Sequence, residues 1–223
     1  MKLYEMYKTI IMERDYDNIK SLSNIAYNKL NNIADKIINS DLSTIDIIDL
    51  FNDELKSLNV QFDIGTGHNY AYPEEGIYQA FVESNGDVII EVADDWYDII
   101  TDRYHYVQVL KTIKAIIVHE LTHVDQIYKS NNKLKLAKLN TNDEYLSNIH
   151  EIQSHANEAM QQYIELGYNK IQIIKLLKNP DVDNTPSPTE STAFYKYFDY
   201  YYTEDDKIWK RFIKYCIQFL NEL

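Results

Sequence analysis

The stretch His119-Glu120-Leu121-Thr122-His123 constrains this chain more than any other feature. Its two histidines are four residues apart, so on a helix their imidazoles lie one above the other on one face and reach a single ion. Glu120 projects about 100° away from His119, near enough to touch a water on that ion without becoming a ligand. The pattern therefore sets a general base beside a metal site. The flanking residues fit a largely buried helix. Apolar side chains fall at Val109, Leu110, Ile113, Ile116, Ile117, Val118, Leu121, Val124 and Ile127, no glycine or proline intervenes, and Thr101 is the expected N-cap. A solvated polar face is the competing reading, and it fails on those neighbours, because burying three polar groups without partners costs several kcal/mol.

A second stretch answers the first. Thr141-Asn142-Asp143-Glu144 has the form of a capping box, and it predicts one long helix from there to Leu166, closed by Gly167. On that helix Glu144, Glu151, His155 and Glu158 stand at offsets 0, 7, 11 and 14, which keeps them on one stripe. A zinc ion held by two histidines of one helix needs a third protein ligand and keeps its fourth position for water. A carboxylate from a packed neighbouring helix is the natural source. His150 falls off the stripe.

The remainder of the chain supplies scaffold. Tyr16 to Ile38 carries apolar residues at helical spacing, and a second helix follows Ser43, where Ser43-Thr44-Ile45-Asp46 approximates a capping box and the helix runs to Leu55. The period then changes. Val60 to Ile64, Ile77 to Glu83 and Val88 to Val92 alternate, and Asn85-Gly86 between the last two runs is a hairpin signal, so a small antiparallel sheet is expected before the metal helix. Gly65-Thr66-Gly67-His68 is too short for a phosphate cradle and lacks a following helix. His68 and His105 read as ordinary histidines. Ser130 to Asn140 reads as a solvated loop, Asn169 to Leu177 as a short helix and Asp181 to Ser191 as a linker. Phe194 to Tyr202 is a run of aromatics, expected to pack in a core, or, if exposed, to dock a protein partner. A capped helix from Thr203 to about Leu220 ends the reading. The expected organisation is a helical segment over 1–58, a catalytic core over 59–178, and a linker with a Tyr-rich helical segment over 179–223, together one compact domain.

Composition excludes some classes of function. The 223 residues carry a formal net charge of −13 and show no basic patch, which argues against nucleic acid and an anionic membrane surface as partners. No apolar run approaches the about 18 residues needed to span a bilayer, and no basic-then-apolar leader opens the chain. A cytoplasmic location is expected, with a virion as the alternative; abundant Asn, Lys, Ile and Tyr fit an AT-rich genome, bacterial or viral. The single cysteine, Cys216, can form no intrachain disulfide.

His119-Glu120-Leu121-Thr122-His123, with Glu151-Ile152-Gln153-Ser154-His155-Ala156-Asn157-Glu158 on the following helix, resembles the gluzincin type of zinc metallopeptidase. The resemblance covers roughly residues 59 to 166; the first motif is specific and the second loose. It implies a zincin-like α+β fold, predominantly helical, in which a small antiparallel sheet precedes the active-site helix and a second helix brings a glutamate as third zinc ligand. No Gly and His follow His123 at the metzincin spacing. The ligand set it implies is His119, His123 and Glu151, with Glu120 as general base. Glu158 is the main rival for the third place, Glu144 and His155 are further candidates, and His155 otherwise orients a ligand or the water. His155 or Tyr145 is a candidate donor to the oxyanion. The implied activity is zinc-dependent hydrolysis of a protein or peptide, with strand addition along the 77–92 hairpin as a way to hold an extended substrate. A different class of function also fits: a structural or interaction component of a viral or other large assembly that retains the zincin fold.

Overall fold

The computed structural model describes residues 15–38, 40–65, 76–83, 86–100, 102–130, 142–178, 180, 192–202 and 206–222. The chain divides into two compact units, Met1–Leu121 and Thr122–Leu223. Among the described residues no helix is long and apolar enough to cross a membrane.

The first unit opens with helices α1 (Asp15–Asn32), α2 (Ala34–Ile38) and α3 (Thr44–Leu55). The expected helix to Ile38 is thus interrupted at Ile33. The capping box at Ser43 forms as expected, with Asp46 N–H donating to Ser43 Oγ and Ser43 N–H donating to the Asp46 carboxylate. Strands β1 (Val60–Ile64), β2 (Ile77–Val82) and β3 (Val88–Val92) follow a short 3₁₀ turn. β1 alternates as the sequence predicts, with Val60 and Phe62 buried and Gln61 and Asp63 exposed.

The sheet corrects one expectation. It is mixed, not antiparallel: the order is β1-β3-β2, β2 pairs antiparallel with β3, and β1 pairs parallel with β3 from Val60↔Val88 to Ile64↔Val92. Alternation marks a strand but not its direction. The hairpin signal fixes only the β2–β3 pair, and the chain between β1 and β3 is long enough for a parallel return. Gly86, at φ 89, supplies the left-handed turn residue and donates its N–H to Glu83 O; Ser84 and Asn85 lie outside the described residues. At the β1 edge the Asn52 side chain pairs with both the N–H and the C=O of Phe62, which closes part of that edge to another strand. Phe51, Phe62, Trp96 and Tyr106 then pack into one aromatic core, with ring centroids 5.1–6.3 Å apart.

A one-turn helix, α4 (Trp96–Ile99), leads to α5 (Arg103–Lys129), which carries the paired histidines and runs unbroken through the division between the units. Thr101 lies outside the described residues. The capping bond at this end comes from Asp102, whose Oδ1 accepts the His105 N–H at 2.9 Å.

The second unit begins with the end of α5 and continues through α6 (Asn142–Ser147), α7 (Ile149–Glu165), α8 (Lys170–Lys178), α9 (Thr192–Tyr201) and α10 (Lys207–Asn221). The single helix expected from Thr141 to Leu166 is two helices. Asn148 adopts φ −66 and ψ 130, and its side chain accepts the His150 N–H, so it caps a new helix there. At the other end the forecast holds. Gly167 takes φ 87, and the Gly167→Ile164 and Tyr168→Tyr163 backbone bonds form a Schellman motif. α7 packs chiefly against α10 and also against α9. The aromatic run of α9 faces that core: Phe194 and Tyr197 are fully buried, and Tyr197 stacks on Phe212 at 4.4 Å. α10 is capped by Asp206, whose carboxylate accepts the Ile208 and Trp209 N–H groups; Thr203 lies outside the described residues.

Candidate metal centre

Apolar spacing buries the middle of α5 and takes the motif with it. Ile113, Ile116, Ile117, Val118 and Leu121 are all at most 2% exposed, and His119, Glu120 and His123 between them are only 4–6% exposed. One uninterrupted helix carries His119 and His123, so a single turn fixes their separation. On α7, Glu151, His155 and Glu158 are likewise buried.

These residues converge. His119, His123 and Glu151 each present a ligand atom, and those atoms all lie within 4.8 Å of one another; His119, His155 and Glu158 form a second such set. Of the residues named from the sequence as ligand, base or rival ligand, His119, Glu120, His123, Glu151, His155 and Glu158 are buried, and all of these but Glu120 belong to one of the two groupings. The Glu144 side chain lies outside the described residues, and the break at Asn148 takes its position off the helical phase that linked it to Glu151.

The environment of His123 fixes its tautomer. Gln126 Nε2 donates to His150 O (3.1 Å) and to Gln153 Oε1 (3.2 Å), which leaves Gln126 Oε1 facing His123 Nδ1 at 3.0 Å. That oxygen can only accept, so His123 Nδ1 carries a hydrogen and Nε2 is the ring nitrogen left to meet Glu151 or an ion. Ser154 Oγ lies 3.3 Å from the same Nδ1. His123 Nε2 in turn lies 3.3 Å from Glu151 Oε2, an ion-pair separation without hydrogen-bond angles. Two electron-rich atoms at that distance repel unless a cation or proton sits between them. Ligands about 2.0–2.1 Å from a tetrahedral zinc ion stand about 3.4 Å apart, so the observed spacing suits a shared metal ion. The donor set, two imidazoles and one carboxylate, is of the kind that zinc accepts.

Around His155 the pattern repeats. Its Nδ1 lies 2.9 Å from Glu158 Oε2, and Gln162 Nε2 donates to Glu158 Oε1 at 3.3 Å. A carboxylate accepts only, so His155 also carries a hydrogen on Nδ1, and its other ring nitrogen, Nε2, is buried. Tyr145 meets the His155 ring edge-on at 5.7 Å, and Tyr197 lies at the same distance on a tilted plane. Burial, with Glu151 and Glu158 nearby, raises the Tyr197 phenol far above its ordinary pKa. Asn157 Nδ2 donates to Thr122 Oγ1 at 3.0 Å and so pins α7 to the turn of α5 that bears His123.

Gln126, Ser154 and Asn157 were given no role by sequence reasoning. Gln126, three residues beyond His123 and so on its face, could have been found by spacing; Ser154 and Asn157 could not, because their partners come from another helix. Two histidines stand aside. His105 is exposed and pairs with Asp102 at 2.7 Å, and His68 lies outside the described residues. His150 contributes its backbone carbonyl, while desolvation and neighbouring His123, partly offset by Glu151, lower its imidazole pKa. Lys129 pairs with buried Asp125 at 2.9 Å and balances that charge away from the ligand sets.

No protein-family model, curated protein or solved structure matches the chain.

Proposed function

We propose that this chain is a zinc-dependent peptidase in which His119, His123 and Glu151 hold the metal and Glu120 is the general base. The observation that carries the reading is the burial of all three ligand side chains with their donor atoms within 4.8 Å, beside an equally buried Glu120. A metal held only for structure needs no base, and it usually has its fourth position closed by protein.

When bound, a zinc ion would supply Lewis acidity, lowering the pKa of a water molecule and polarising a carbonyl oxygen. The Glu120 carboxylate would accept a proton from water activated there and pass it to the departing amine. Gln126 holds the His123 ring so that Nε2 faces the metal position. Glu151 contributes negative charge, and the apolar turns of α5 keep bulk water from the site. The buried phenol of Tyr197, neutral at physiological pH, is a donor available near Glu151 and Glu158.

Cleavage of a peptide library by wild-type protein and by Glu120→Gln tests the reading. Hydrolysis by the wild type, reduced at least about 10³-fold in Glu120→Gln with metal content unchanged, is expected. Metal retention without cleavage by the wild type would instead favour a structural or interaction component of a larger assembly.

A further inference from the structure

Two tyrosines of the second unit, Tyr163 and Tyr197, are fully buried with hydroxyls that meet no hydrogen-bond partner among the described residues. A buried hydroxyl without a partner destabilises a fold, and phenylalanine would fill the same space without that cost. A tyrosine held there points to a use for its oxygen. The two differ in what surrounds them. Tyr163 packs against Tyr168 and Phe194, and the groups whose charge bears on its phenol are Cys216, Tyr195 and Tyr168. Two carboxylates bear on Tyr197: Glu151 and, less strongly, Glu158.

We infer that the Tyr197 hydroxyl donates a hydrogen bond to the Glu151 carboxylate and holds it in the orientation a metal ion requires. The inference rests on the metal site proposed above and adds to it a positioning residue from a third helix.

The geometry of α7 supports this placement. Glu151, His155 and Glu158 stand at i, i+4 and i+7 and share one face. The Tyr197 ring lies against the middle member, 5.7 Å from the His155 ring. About one helical turn, 5.4 Å, separates His155 from the acid on either side, so both acids fall around the phenol. They are not equivalent. Glu158 is already engaged, with His155 Nδ1 at 2.9 Å from Oε2 and Gln162 Nε2 donating to Oε1. Glu151 Oε2 instead faces His123 Nε2 at 3.3 Å without hydrogen-bond angles. A carboxylate that gives one lone pair to a metal keeps others for a donor, and ligating carboxylates are themselves commonly hydrogen-bonded. A phenol suits that role, because it donates without adding a charge and leaves the carboxylate its own for the metal.

The donor is also fixed in place. Tyr197 stacks on Phe212 with centroids 4.4 Å apart and planes 11° from parallel, and α9 packs against α7. A ring locked by packing orients its partner better than a mobile side chain would.

Chelator competition on the full-length protein, with zinc as the probe, tests the inference. Tyr197→Phe is compared with wild type, and Tyr163→Phe serves as the control for losing a buried hydroxyl. The zinc affinity of Tyr197→Phe should fall about 10–100-fold, while the Tm of its metal-free form stays level or rises, because the variant sheds an unpartnered buried hydroxyl. Tyr163→Phe should behave alike in Tm and keep its zinc affinity. Unchanged affinity in Tyr197→Phe would overturn the inference and leave the metal site standing, and turnover lost at that unchanged affinity would assign the phenol to the substrate. A loss of affinity matched in Tyr163→Phe, or accompanied by a fall in Tm, would also overturn it, because packing would then explain the effect. Folded wild type that binds no zinc would overturn the site itself.

Discussion

The proposed mechanism gives Glu120 and Gln126 different parts, and substitution separates them. In the proposed reaction Glu120 moves a proton, so Glu120→Gln should abolish turnover and leave metal binding intact. Gln126 touches no proposed reacting atom. It holds the His123 ring through Nδ1 while anchored to His150 O and Gln153. Gln126→Ala should therefore weaken metal affinity by about 10–100-fold, measured by competition with a chelator, while helix content by circular dichroism stays unchanged. An unchanged affinity would remove Gln126 from the account. The residues visible from sequence were those whose chemistry is carried by local spacing. His119, Glu120 and His123 needed only the helical period. Glu151, His155 and Glu158 needed the further assumption that a second polar stripe faces the first, and the structure brings the two stripes together. Ser154 and Asn157 were invisible, because small polar residues acquire meaning only from a partner on another helix.

Among the elements, α7 owes its position to its first residues. Asn148 caps it and turns the chain just before Glu151, so the cap sets the rotation at which Glu151 enters the site. Asn148→Ala should cost about 1 kcal/mol of stability, read by denaturant unfolding, and should also lower metal affinity. Asn148→Gly should cost only a few tenths. The sequence suggested one helix here because Thr141 to Leu166 contains no glycine or proline; a mid-helix asparagine that caps is distinguished only by the backbone it adopts. The same limit applied to the sheet, where three alternating runs were identifiable and the parallel partner of β1 was not. At the start of α5, the His105 N–H and then the His105 side chain hold the Asp102 carboxyl below its usual value of 3.8. A carboxylate with a lowered folded pKa adds stability that is complete above the unfolded value and is lost as pH falls through the lowered one. The His105 amide resonance should accordingly titrate with a midpoint below 3.8, and a midpoint at or above that value would contradict the cap.

For the molecule as a whole, two cores carry two tasks. In Met1–Leu121, Phe51, Phe62, Trp96 and Tyr106 hold sheet and helices together. In Thr122–Leu223, Phe194, Tyr197, Trp209 and Phe212 seat α9 and α10 against the helix that bears Glu151. Phe212→Ala should cost about 3–5 kcal/mol, seen as a fall in Tm, and should loosen metal binding because α7 loses its support. The aromatic run Phe194 to Tyr202 is expected from sequence as core or docking surface; Phe194 and Tyr197 are core, and Tyr202 is exposed, at 43%. The acidic balance of −13 says little about the site, where the carboxylates that matter are buried. The most direct measurement of the central claim is an anomalous-difference map at the zinc edge from crystals grown with zinc. A strong peak is expected about 2.0–2.2 Å from a ring nitrogen of His119, from His123 Nε2 and from a Glu151 carboxylate oxygen. A zinc-replete crystal with no peak among these three residues would contradict it.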